Sequence, residues 1–327
     1  MLRHAWKAVV VLLVISGGLW TATHGVAGVA WAEVAPVLRG LTAWQLGRLT
    51  LIWLGGLGIY STVLSAAMPG LGIRRSLLLN LSGSAVANVV PLGGAAATAL
   101  NWRMARVWGH SNVAFATYCV LTNSLDVLTK LLLPIVGVAT FVCLSLHVPA
   151  ALWAMAVSCA AGVSLVLLVH TLVVRTAVAD RGADSRWHGL RVRLRESANR
   201  IRRLLVLHWA RLLPGSVGYV AAQVVLLYFS LRSVGLDVPV STVLMAAGIE
   251  RLGTLVPITP GGAGVAEIGT IAWLVAAGLD PVEVVAGVLV YRVFLVAMEI
   301  PLGGVLLGAW AWLQRTQSGR RLGGLTA

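Results

Sequence analysis

The chain has 327 residues, of which 58% are apolar and 11% charged. A soluble domain carries about 25% charged residues, so a water-soluble fold is excluded, and disorder is excluded by the apolar content. Lys and Arg number 25 against 11 Asp and Glu, a net charge of +14. In a membrane protein such an excess marks cytoplasmic loops rather than nucleic-acid binding.

The uncharged stretches far exceed the ~10 residues of a barrel strand, and long enough ones read as helical spans of ~20 residues. The expected class is all-α: a polytopic helical membrane protein with about six spans plus two re-entrant broken-helix pairs in an inverted repeat. In chain order the first span is Ala8 to Ala22, behind Arg3 and Lys7. Leu49 to Ile73 follows, ending before Arg74 and Arg75. The stretch 76–102 is uncharged but interrupted by Pro91, Gly93 and Gly94. A long segment from Asn112 to His147 holds Asp126, Lys130 and Pro134, and Pro149 to Val174 is a clean span.

Between Arg175 and Arg211 lie ten arginines and three acids. This segment reads as a cytoplasmic loop and a basic amphipathic helix suited to anionic headgroups. Leu212 to Leu231 is the next span. A second interrupted segment runs from Pro239 to Leu279, and the last span covers 282–313. The organisation expected is therefore an N-terminal membrane repeat over 1–174, a basic loop over 175–211, a C-terminal repeat over 212–313 and a basic tail over 314–327. With both termini cytoplasmic, every basic cluster falls on one side.

The two interrupted segments match. At an offset of 169 residues Pro91 meets Pro260, Gly93 meets Gly262, Asn123 meets Arg292, Lys130 meets Glu299 and Pro134 meets Gly303. Inverted repeats built on broken helices are a pattern of secondary transporters. A helix restarting after Thr259, Pro260, Gly261 and Gly262 has Thr259 as N-cap and Pro260 at its first position. Its bare amides would bind a phosphate or carboxylate, with Gly262 where the backbone approaches the ligand. The alternative is a packing kink of small residues. Pro91 marks the corresponding first break.

Charged residues inside spans are expensive and face a protein interior or cavity. Glu250 and Arg251 precede the second break and Glu267 follows it. Arg292 and Glu299, seven residues apart, share a helix face, as do Asp126 and Lys130. These groups read either as a polar cavity at the repeat interface or as structural ion pairs, Asp126 with Lys130 and Arg292 with Glu299. Glu267 competes with an anion at the helix end, pairs with Arg292 or takes up a proton. The three cysteines lie in apolar stretches and read as buried hydrophobes. No metal-ligand spacing, nucleophile motif or phosphate-binding loop is present, so neither a cofactor nor an enzyme is expected.

The stretch PITPGGAGVAEIG, followed by LVYRVFLVAMEIPLGG, resembles the lysylphosphatidylglycerol synthetase transmembrane family. Its Pro-Gly-Gly-x-Gly motif and Glu are matched by Pro260, Gly261, Gly262, Gly264 and Glu267. Its Tyr-Arg pair and later Pro are matched by Tyr291, Arg292 and Pro301, and its first-half Asn and Pro by Asn88 and Pro91. The first turn reads LGGAAAT, where the family often carries an Arg and a Glu. The resemblance implies a lipid-handling protein of the cell membrane, a transporter or flippase for an anionic, aminoacylated or polyprenyl-linked lipid. The alternative is a membrane enzyme or accessory factor in lipid-linked glycan or cell-envelope synthesis.

Overall fold

A computed structural model describes residues 25, 27–90, 93–144, 148–179, 188–256 and 262–323. The expected first span and Pro91, Thr259, Pro260 and Gly261 lie outside the described residues. The described chain is helical: α1 (Trp31–Arg39), α2 (Ala43–Ala67), α3 (Ile73–Val89), α4 (Gly93–Val107), α5 (Asn112–Cys143), α6 (Ala150–Ala179), α7 (His188–Ser233), α8 (Val240–Gly253), α9 (Val265–Ala276), α10 (Pro281–Arg292) and α11 (Glu299–Gly323). A π turn, Val293–Ala297, joins α10 to α11.

Polar caps start the long helices where the sequence leaves the apolar runs. Thr42 accepts from the Gln45 amide while Gln45 accepts from the Thr42 amide, a capping box. Ser111 caps α5 through the Ala114 amide. Asp280 accepts two amides of α10, whose first residue is Pro281. Among the described residues five helical segments are long and apolar enough to cross a membrane: Ala43–Ala67, Asn112–Cys143, Ala150–Leu172, Asn199–Ser233 and Pro281–Thr316. The protein is thus a polytopic helical membrane protein.

Both interrupted segments are helical hairpins. In the first, Gly83 faces Asn101 and Gly93 abuts Ala87. In the second, Ile249 faces Gly269 and Gly253 faces Ala266. These pairings run antiparallel. The arms hold 17 and 15 residues, then 14 and 12. At about 1.5 Å per residue each arm falls short of the ~30 Å hydrocarbon thickness.

The packing follows the internal repeat. α2 crosses α7 antiparallel, with Gly56 on Ala222, Ile59 on Gly218 and Val63 on Gly215. Small residues permit this close backbone approach. The first hairpin's α3 packs on α11, where Gly303 abuts the Leu81 carbonyl. The second hairpin's α8 packs on α5, where Gly248 abuts Pro134. Each hairpin thus rests on the long helix of the other half. Because α2 and its counterpart in α7 are antiparallel and both span, the halves are inverted.

One boundary differs from the expectation. The basic stretch and the following span form a single 46-residue helix, α7. Ile201 and Leu204 of this stretch are buried with Leu64, Met68 and Leu71 of the same chain, while Val206, Leu207 and Trp209 are exposed. Arg200, Arg202 and Arg203 remain exposed.

Candidate functional site

Three elements bring four charged residues to the second break: the end of α8 (Glu250, Arg251), the start of α9 (Glu267) and the end of α10 (Arg292). Arg292 Nε donates to Glu267 Oε1 at 2.6 Å, and its Nη1 donates to Glu250 Oε1 at 3.0 Å. Arg292 is 8% exposed, Glu267 7% and Glu250 2%. A guanidinium fork suits this arrangement because its donors are fixed in one plane. The one arginine pins both arms of the broken hairpin to α10.

Glu267 uses its second oxygen as a cap, accepting the Gly264 amide at 2.7 Å. This corrects the expected helix start. α9 begins at Val265 with Gly264 as N-cap, rather than at Thr259 and Pro260. Its carboxylate occupies the N-cap amide, one of the donors at this helix end. Gly262 has φ +70° and faces inward: a Cβ there would lie 2.7 Å from Thr254 Cα. The positive φ and this close contact suit Gly262 to the chain reversal. Gly264 also has a positive φ, +89°.

The expected Arg292–Glu299 pair does not form. The π turn widens the helix between them, so a seven-residue separation no longer returns to one face. Glu299 has the Ser84 hydroxyl as its polar neighbour. The other expected pair is present: Lys130 Nζ lies 2.7 Å from Asp126 Oδ2. Tyr291 is 1% exposed beside Arg292. Arg251 has no carboxylate at ion-pair distance among the described residues; its guanidinium sits 5.9 Å from the Tyr219 ring centroid. Asn88 lies half-buried in the last turn of α3.

Two cavities flank the α2–α7 crossing. One is lined by Trp53, Tyr219, Gln223, Leu226, Leu295 and Glu299. The other is lined by Tyr60, Val63, Asp126, Thr129, Ser216 and Tyr219. Tyr60 and Tyr219 stack with centroids 4.4 Å apart. Sequence reasoning passed over Tyr60, Tyr219 and Gln223. Gln223 was the available signal, as the one amide side chain in the apolar run 212–231. Among the described residues no group of three or more metal-ligating side chains is assembled.

The chain matches the profile of the lysylphosphatidylglycerol synthase TM region across residues 8–303. It belongs to that family. The match takes in both hairpins, the charged cluster and Glu299. Membership of the lysylphosphatidylglycerol synthase TM region family makes this a membrane protein with a lipid- or envelope-related role. No curated protein matches the chain.

Proposed function

We propose that this protein moves an anionic, aminoacylated or lipid-linked substrate between membrane leaflets, as a flippase-like transporter of the cell membrane. The observation that carries the reading is the buried Glu250–Arg292–Glu267 cluster at a helix break inside the membrane. A helix need not be broken or charged merely to span. Both features are costly in hydrocarbon and are tolerated where protein or a polar cavity surrounds them.

The roles divide between the two arginines. Arg292 is neutralised by two carboxylates and holds the hairpin closed. Arg251 retains its charge beside the break and is the contact for a headgroup phosphate. The inverted repeat supplies two related hairpins that rock about the α2–α7 crossing to alternate access. Both termini and the basic start of α7 face the cytoplasm.

Reconstitution tests the reading. In vesicles holding trace fluorescent phosphatidylglycerol, the full-length protein should speed transbilayer movement over protein-free vesicles, and Arg251→Gln should slow it. Equal rates with and without protein refute transport of this lipid class. Reporter fusions at residue 190 and at the C-terminus should both report the cytoplasm.

A further inference from the structure

The interior acids are paired with one exception. Glu250 and Glu267 both pair with Arg292, and Asp126 with Lys130. Glu299 has no basic partner among the described residues. Its counterpart at the offset of 169 residues is Lys130, so the repeat does not supply a matching acid–base pair. It is 6% exposed and stands in the first turn of α11, turned from Arg292 by the π turn.

The surroundings of Glu299 are specific. It lines a small cavity with Gln223 and Trp53, each 5% exposed. Gln223 Oε1 and Trp53 Nε1 are buried without a hydrogen-bond partner. An unsatisfied buried acceptor is costly. A carboxylate offers Gln223 Oε1 nothing, since both are acceptors. A carboxylic acid offers an O–H donor while its carbonyl remains free to accept from Trp53 or Ser84. The cavity thus holds an acceptor for an acid's O–H, Gln223 Oε1, and donors for a carboxylate, Trp53 Nε1 and the Ser84 hydroxyl, so it accommodates both protonation states.

We propose that Glu299 binds and releases a proton within the membrane, and that a proton gradient acts on the transporter through it. The second half of this statement rests on the transport reading above. The step is a simple protonation: a proton from water in the cavity joins a carboxylate oxygen, and it leaves to water when the cavity changes access. Tyr219 is the titratable side chain facing Glu299 from α7. α2 presents Trp53 and α3 presents Ser84, neither of which titrates. Glu250 and Arg292 beyond the π turn are engaged with each other, and Arg251 lies over Tyr219. Because Tyr219 lines both cavities, it also stands between Glu299 and Asp126 of the other half.

Infrared difference spectra of the full-length protein across a pH series test proton binding without requiring transport. The carbonyl stretch of a buried carboxylic acid should titrate in the parent, vanish in Glu299→Gln and persist in Asp126→Asn. Glu299→Asp keeps a carboxyl group and should shift the band rather than remove it, which covers a misfolded Gln variant. A band unchanged in folded Glu299→Gln, or no band in the parent at any pH, overturns the assignment. In proteoliposomes, the ratio of lipid transport with an imposed pH gradient to that without should exceed one for the parent and equal one for Glu299→Gln. A parent ratio of one, or acceleration by a sodium gradient instead, overturns the coupling. No transport in any condition refutes the transport reading, while the spectra still decide proton binding.

Discussion

The two hairpins share a backbone and differ in chemistry. At the offset of 169 residues, Glu250, Glu267 and Arg292 of the second half correspond to Leu81, Thr98 and Asn123 of the first. Leu81 is buried, whereas Thr98 and Asn123 are exposed, so no ion-pair cluster forms there. The reversal itself is common to both. Gly93 is wedged against Ala87 and its counterpart Gly262 against Thr254. Glycine permits the break, therefore, and charge is not needed to make one. The Arg292 cluster is an addition to the second hairpin, where it fixes the relative position of α8, α9 and α10.

The largest test of that contrast removes the pin. Arg292→Ala leaves two buried carboxylates without their partner and should cost about 3–5 kcal/mol. Asn123→Ala, at the equivalent but exposed position, should stay within about 0.5 kcal/mol. Thermal unfolding in one detergent compares them. Adding Glu250→Gln and Glu267→Gln to Arg292→Met should recover much of the loss, because the uncompensated charges are then gone. Equal losses for Arg292→Ala and Asn123→Ala would show that the pin contributes nothing.

The glycine contacts come next and should behave alike in both halves. Gly303→Ala places a Cβ on the Leu81 carbonyl, and Gly93→Ala one on Ala87. Overpacking of this kind costs about 1–3 kcal/mol. Gly304→Ala meets nothing within 4 Å and should leave the unfolding temperature unchanged. A third comparison reads dynamics. With no ion pair closing the first hairpin, the amides of Gly93–Val107 should exchange with solvent faster than those of Val265–Ala276. Hydrogen exchange followed by mass spectrometry gives the order, and the reverse would mean that packing rather than charge sets hairpin stability.

The smallest effect is a pH dependence confined to the first half. His110, opposite Leu279 in the repeat, follows the first hairpin. Burial, then the charges of Arg75 and Arg200, hold it below the usual imidazole range. The fold therefore favours neutral His110. Its stabilising contribution is present above the unfolded value of about 6.5 and is lost as pH falls below that value. The unfolding temperature should drop between about pH 7.5 and about pH 5.5 in the parent, and less steeply in His110→Gln. Solvent screening keeps this slope shallow.

Much of the architecture was legible in the residue order. Long uncharged runs require spanning helices, because a bilayer leaves no other partner for the backbone. Pro and Gly mark both breaks, and their common offset carries the repeat. Asp126 and Lys130 pair as their four-residue spacing requires. Three things needed the folded molecule. The π turn after Arg292 overrode the seven-residue spacing and parted Arg292 from Glu299, since periodicity holds only while the helix keeps its pitch. Glu267 took the cap of α9, which starts at Val265 with Gly264 as its N-cap. The cavity joining Glu299 to Gln223 and Trp53 arises where α2, α7 and α11 meet. That juxtaposition of distant segments is a property of packing, which no local pattern in the sequence records.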